Sequence, residues 1–241
     1  MLDGVFNQAV DEVASFRARR SRSATGLHQR LQNIITSTLA EAWPDVPVIT
    51  ATPGNRGVGA LPGDCVLLNP LDGEAEFVAG SPHFAITACR VRRGFPIQGI
   101  VDLPDHHVRL SIDRAALTIS GDIDRLPVFD ADTILTRPDD AARVSRILAG
   151  RPVEAVATAS ILMALIALRR ARVAVHLPGR EMATPWNYAG AALAVHTSGG
   201  TVRSPDGRDL AHSPLAVHTG WLATCQPPRP AELTQLLQPP D

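Results

Sequence analysis

The chain contains no lysine: all 23 of its cationic side chains are arginine. That complement reads as the codon bias of a GC-rich genome rather than as a phosphate-binding purpose for each arginine. Set against 24 acidic residues, the arginines leave a formal net charge of −1. No global field therefore draws the chain to nucleic acid or to a membrane surface. Cysteine is scarce as well. Cys65, Cys89 and Cys225 are odd in number and far apart, which argues against a disulfide framework or a zinc site. Cys65 and Cys89 fall in apolar, strand-like runs and are expected as small core residues. Long apolar runs are also missing. The longest, Ile161 to Leu168, is far short of the roughly 20 residues that span a bilayer. The first residues carry Asp3, Asp11 and Glu12 and no apolar core of a signal peptide. The expectation is a cytoplasmic protein with neither a membrane nor a nucleic-acid partner.

What is present suffices for a large core: 241 residues, 45% of them hydrophobic. Val5, Ala9, Val13 and Phe16 share one face of a predicted helix over 2–20. It ends in Arg17, Arg19, Arg20 and Arg22, cations suited to a helix C-terminus and read here as a solvated end. A second helix is predicted over 25–42, with Leu27, Leu31, Ile34, Ile35 and Leu39 aligned and Trp43-Pro44-Asp45 as its stop. A strand over 46–49 follows, then a Gly/Pro/Thr-rich loop over 50–63. Later strands are expected at 98–103, 108–112, 116–119, 133–135, 153–157 and 173–177, and near 201–202 and 215–218. Helices are expected at 138–148, 160–170, 186–198 (closed by Gly199-Gly200) and 230–237. His106 and His107 read as turn residues. The pattern predicts an α+β half over 1–130 and an α/β half over 131–241, folded as one unit.

The stretch 64–104 organises the rest. Val66-Leu67-Leu68 is an apolar run that is expected to stop at Pro70, which has no N–H for a ladder. Gly73 supplies backbone freedom for a turn, and residues 74–78 open a helix with acids at its start. The free N–H groups at 73–75 would then converge as an anion site. Within this stretch, Asn69-Pro70-Leu71-Asp72-Gly73, Phe77, Gly80-x-Pro82 and the hairpin Gly94 to Pro104 resemble the first signature of the inositol monophosphatase family. Trp186-Asn187-Tyr188-Ala189-Gly190, followed by Gly199-Gly200, resembles its second.

The resemblance implies a layered α-β-α-β-α sandwich, a homodimer, and hydrolysis of phosphate monoesters by Mg²⁺-activated water. It also shows where this chain departs from the family. Carried over residue by residue, the family's metal ligands fall on Ala51, Asn69, Asp72 and Asn187, with the carbonyl of Leu71 as a further ligand. Its water-orienting threonine falls on Glu74, and an acid of its second helix falls on His28. One of four carboxylate positions survives. Mg²⁺ wants anionic oxygens, and each lost charge costs about 4 kcal/mol of attraction per unit of metal charge at 4 Å and an effective dielectric near 20. Mg²⁺ binding is expected to be weak or absent.

Candidate catalytic residues are Asp72 and Glu74, and candidate metal ligands are Asp72, Leu71, Asn69 and Asn187. Candidates for holding a small phosphorylated ligand are Gly73, Glu74, Ala75, Arg180 (or Glu181), Thr184 and Asn187. Blander roles are open to each. Asp72 would cap the turn at Gly73, Glu74 and Glu76 would be ordinary first-turn acids, and Asn69 and Asn187 would hydrogen-bond each other. Three functions stay open: a ligand-binding, regulatory or assembly protein that has lost ordinary phosphatase activity, an active phosphomonoesterase using Asp72 and Glu74, and a pocket recruited to metal-free chemistry.

Overall fold

The computed structural model describes residues 2–18, 24–50, 61–113, 116–156, 158–179, 182–225 and 231–238. In chain order the first part holds helices α1 (Leu2–Ala18) and α2 (Ala24–Ala42), strands β1 (Val48–Thr50) and β2 (Cys65–Asp72) and helix α3 (Glu74–Ala79). Strands β3 (Ala85–Arg92), β4 (Phe95–Leu103), β5 (Val108–Asp113) and β6 (Ala116–Gly121) follow. The second part holds β7 (Ile134–Thr136), α4 (Ala141–Ile147), β8 (Val153–Ala155), α5 (Ala159–Ala167) and β9 (Val173–His176). It closes with α6 (Pro185–Thr197), β10 (Thr201–Arg203), β11 (Trp221–Thr224) and a 3-10 helix over Ala231–Leu237.

Strands β1 to β6 lie side by side in sequence order, parallel between β1 and β2 and antiparallel thereafter. The strand period of two sends alternate residues to opposite faces. Val66, Leu68, Ile86, Ala88 and Ile100 meet the apolar stripes of α1 (Phe6, Ala9, Val13, Phe16) and α2 (Leu27, Leu31, Ile35, Leu39). Cys65, Leu67, Cys89, Val101 and Leu110 point the other way, onto α5 and α6. Those two helices are apolar nearly all round because a second sheet, ordered β10-β11-β9-β7-β8, covers their far side. Its outer face, through Ile134, Val173, Val175 and Leu222, is closed by Val144 and Leu148 at α4 and by Leu233, Leu236 and Leu237. The result is the expected α-β-α-β-α sandwich. Among the described residues, no helix is long and apolar enough to cross a membrane.

Helix α6 approaches the first sheet more closely than side chains allow, and glycine makes the room. A Cβ on Gly190 would lie 3.0 Å from the carbonyl oxygen of Ala88, and one on Gly99 would lie 3.1 Å from the Cα of Gly190. That seat fixes the first turn of α6, where Asn187 stands.

Four expectations need correction. Strand β2 does not stop at Pro70 but runs on to Asp72, with a register shift between Asn69 and Asp72. A proline is tolerated at such an irregularity because no ladder N–H is required of it. The 215–218 segment is not a strand; it contributes one isolated bridge, His218 to Ala183, and the closing strand is β11. The last helix is 3-10, not α. Arg17 is not a solvated helix end. Its guanidinium donates to the carbonyl oxygens of Phe77 and Ser81 and to the carboxylate of Asp105, and lies 4.4 Å from the centre of the Phe77 ring. The carbonyls at and just past the end of α3 give it that seat, Phe77 O also accepting from Gly80 N–H.

Candidate functional site

Three helices start around one cleft of about 480 Å³. On one side β2 delivers Asp72, and Gly73 turns the chain at φ 106° into α3. A Cβ there would come within 3.0 Å of both Phe84 Cβ and Thr158 Cγ2, so both the space and the backbone angle call for glycine. On the second side Thr158 caps α5, accepting from the N–H of Ile161, and Asn187 rises from the first turn of α6. The third side is the second sheet, whose parallel strands β7 and β9 end at the cleft with Arg137 and His176, while β11 adds Trp221. Outside the carboxyl ends of parallel strands is where α/β sheets place their ligands. The cleft lining thus gathers Asp72, Gly73, Glu74, Ala75 and Asn187 from the sequence candidates. Asn69 and Leu71 lie buried beneath it. Thr184 holds the N-cap position of α6 without a side-chain cap bond, and among the described residues its buried hydroxyl has no hydrogen-bond partner. Ala51, Arg180 and Glu181 fall outside the described residues.

The two asparagines close on each other. Asn69 donates from Nδ2 to Oδ1 of Asn187 at 3.0 Å, although 118 residues separate them, and Asn69 Oδ1 accepts the N–H of Leu71 at 3.3 Å. Each side-chain oxygen therefore already accepts one hydrogen bond within the protein. The carboxylate of Asp72 is buried and accepts from the N–H of Ser160 at 3.2 Å, while the hydroxyl of Ser160 donates to the carbonyl of Asn187. Asp72 does not cap the Gly73 turn, since α3 has no side-chain cap; it serves the first turn of α5 instead. Glu74 is half exposed and bonded, Oε1 to His28 Nδ1, at 2.7 Å. The acid that the second helix lacks is thus replaced by a histidine that engages Glu74.

Mg²⁺ does not fit this donor set. Two of the positions it would need are amides bonded to one another, and the surviving carboxylate is singly placed. Asp72, Glu74, Glu76 and Asp139 line the cleft. Among the described residues they form no group of three oxygens close enough to share an ion.

Burial holds the Asp72 pKa above the usual carboxylate range, an effect that hydrogen bonds from Ser160 and Thr158 only partly offset. The folded chain then keeps a proton that the unfolded chain, titrating near 3.9, has lost. Stability falls as pH rises from that value through the folded-state pKa, and stays lower above it. Asp72→Asn is therefore expected to raise the melting temperature at pH 7.5, with no gain at pH 3.5. Melting curves at the two pH values check it.

Sequence reasoning missed Arg137, His176 and Trp221. Arg137 Nη1 lies 3.4 Å from His176 Nε2, and Nη2 lies 4.0 Å from Asp139. The loop that follows is braced by Arg143 donating to the carbonyl of Pro178 and by Leu177 N–H donating to Asp140. Trp221 is fully buried, and among the described residues its indole N–H has no hydrogen-bond partner. Unsatisfied donors of that kind are rare in native cores. The one signal available in the sequence was a lone arginine between a short strand and a proline-opened helix.

A family model described as "Inositol monophosphatase family" matches residues 2–122. No curated protein sequence matches the chain. Among solved structures, inositol monophosphatase II of Staphylococcus aureus in its 2'-AMP complex superposes with a TM-score of 0.74 at 15% identity, over 92% of this chain and 86% of that one. The extragenic suppressor protein SuhB of Bartonella henselae gives a TM-score of 0.71 at 18% identity, over 92% of each chain. An IMPase of Thermotoga maritima gives 0.66 at 19%, over 83% of this chain and 77% of that one. At these identities the structural likeness speaks for the fold.

Proposed function

Because the chain belongs to the inositol monophosphatase family, we propose that its cleft binds a small phosphorylated ligand without a metal and that ordinary Mg²⁺-dependent phosphatase activity has been lost. The observation that carries this reading is the Asn69–Asn187 hydrogen bond. An aspartate pair so close would need a cation between its members, whereas an amide pair satisfies itself and leaves the cleft floor neutral there. A neutral floor repels a phosphate less.

The positive side of the cleft supports the same reading. The N-termini of α5 and α6 open onto the cleft with the partial positive charge of their helices, though the N–H groups of Ser160, Ile161 and Asn187 are already bonded to Asp72, Thr158 and Thr184. Arg137 adds a fixed cation with donors arranged for phosphate oxygens. Trp221 adds an aromatic side chain to the cleft wall. Nucleotide and inositol monophosphates are the first ligands to try, since solved relatives are described as bound to 2'-AMP and to inositol monophosphate. The test is equilibrium binding of such monoesters to the wild-type chain in EDTA. Saturable binding that added Mg²⁺ does not strengthen is expected, and binding that appears only with Mg²⁺ would overturn the proposal.

A further inference from the structure

At the far end of α6, about 14 Å along the helix from Asn187 at 1.5 Å per residue, a second group of polar side chains converges away from the cleft. His196 stands in the last turn of α6, and Asp209 and His212 come from the connection between β10 and β11. Each offers one ligand atom, and the three atoms lie within 4.8 Å of one another. The two imidazoles meet edge to face with centroids 3.9 Å apart, and His212 Nδ1 lies 3.8 Å from Asp209 Oδ1.

The connection that carries Asp209 and His212 is held in place. Leu210 N–H donates to Val202 O at 2.9 Å, Ala211 N–H to Asp209 Oδ1 at 3.0 Å and His212 N–H to Asp209 O at 3.2 Å. His196 is anchored by its helix. Its Nδ1 is buried and, among the described residues, has no hydrogen-bond partner. A histidine with an unpartnered buried nitrogen, its ring packed against a second imidazole and close to a carboxylate, is a group that a cation would satisfy.

We propose that His196, Asp209 and His212 form a binding site for a borderline divalent cation of the Zn²⁺ class. Two imidazoles and one carboxylate suit Zn²⁺ or Co²⁺, whereas Mg²⁺ prefers an all-oxygen shell. Bond lengths of about 2.0–2.2 Å in a tetrahedral shell set donors about 3.4 Å apart, so side chains now within 4.8 Å of one another need to close by at most about 1.4 Å. His196 and His212 also line a cavity of about 470 Å³ together with Gln98, Asp113 and Arg92. Three protein ligands and an open fourth place define a site that takes water or a small anion as its last ligand. A bound ion would tie the β10–β11 connection to α6, and so steady β11 from outside the cleft.

The experiment is a Zn²⁺ titration of the full chain, first stripped with a chelator, against a chromophoric competitor. One Zn²⁺ per chain is expected at micromolar or lower concentration, with a rise in melting temperature. Co²⁺ in its place is expected to give the intense visible absorption of a four- or five-coordinate ion. His196→Ala and His212→Ala should each weaken binding about 100-fold, and Asp209→Asn, which keeps the shape, about 10-fold. Asp72→Asn, in the cleft, should leave Zn²⁺ binding as it was, which separates this site from the cleft. No binding below 100 µM, or tight binding that survives both histidine substitutions, would overturn the proposal. If a histidine variant fails to fold, the Co²⁺ spectrum of the wild type and the Asp209→Asn titration decide it.

Discussion

Replacing Asn69 and Asn187 together by aspartate is expected to lower the melting temperature in EDTA by about 10 °C, and millimolar Mg²⁺ is expected to restore most of the loss. The two side chains sit 3.0 Å apart, donor to acceptor. Two carboxylates at that separation repel by about 5 kcal/mol at an effective dielectric near 20. The lost amide hydrogen bond adds about 1 kcal/mol. Side-chain rotation and protonation of one member reduce the sum to about 3–4 kcal/mol, and a chain of this size shifts by about 2–4 °C per kcal/mol. With Asp72 alongside, the same pair becomes a carboxylate cluster, which is what Mg²⁺ requires. Adding Ala51→Glu is expected to confer Mg²⁺-dependent release of phosphate from monoesters. Differential scanning calorimetry with and without Mg²⁺ checks the first part, and a phosphate assay the second. A triple variant that folds and gains neither Mg²⁺ stabilisation nor activity would mean that these positions are not where the family's ligands lie.

Arg137→Ala is expected to weaken binding of a phosphate monoester about 30-fold, with a change in melting temperature of a few degrees at most. A hydrogen bond to a charged group contributes about 1.5–3 kcal/mol, which is about 10- to 150-fold in affinity. Arg137 stands in the cleft wall rather than in the core: its side chain is one-fifth exposed, and His176 and Asp139 are among its partners. Its removal therefore acts on the ligand more than on the fold. Arg137→Lys should recover only part of the affinity, because an ammonium lacks the planar fork that matches two phosphate oxygens. Unchanged affinity in Arg137→Ala would remove this side of the cleft from ligand binding.

Most helices and strands were legible in local periods, while their stacking into five layers was implied by the family resemblance. Leu27, Leu31, Ile35 and Leu39 mark one face of α2, and Cys65 to Leu68 alternate between two buried faces of β2. The pairing of Asn69 with Asn187 was legible for another reason: two motifs far apart in the chain resembled one family's signatures in the right order. What escaped was tertiary. Strand β11 is four residues long and buried throughout, with no alternation to betray it. Arg17 read as a solvated helix end because its partners, Phe77, Ser81 and Asp105, lie 60 to 88 positions away. Arg137 and His176 reach the cleft only because β7 and β9 run parallel and end together. The seat of Asp72 on the first turn of α5 was equally out of reach, because only the fold brings β2 to Ser160.

The decisive measurement is a calorimetric titration of the wild-type chain with 2'-AMP and inositol monophosphate in EDTA, repeated in Mg²⁺, with released phosphate assayed in the same cells. Saturable binding of equal strength in both buffers, and no phosphate release above the blank, is the predicted result. Turnover in Mg²⁺ that EDTA abolishes and Asp72→Asn removes would contradict it, and would show a working metal phosphatase built on a reduced set of ligands.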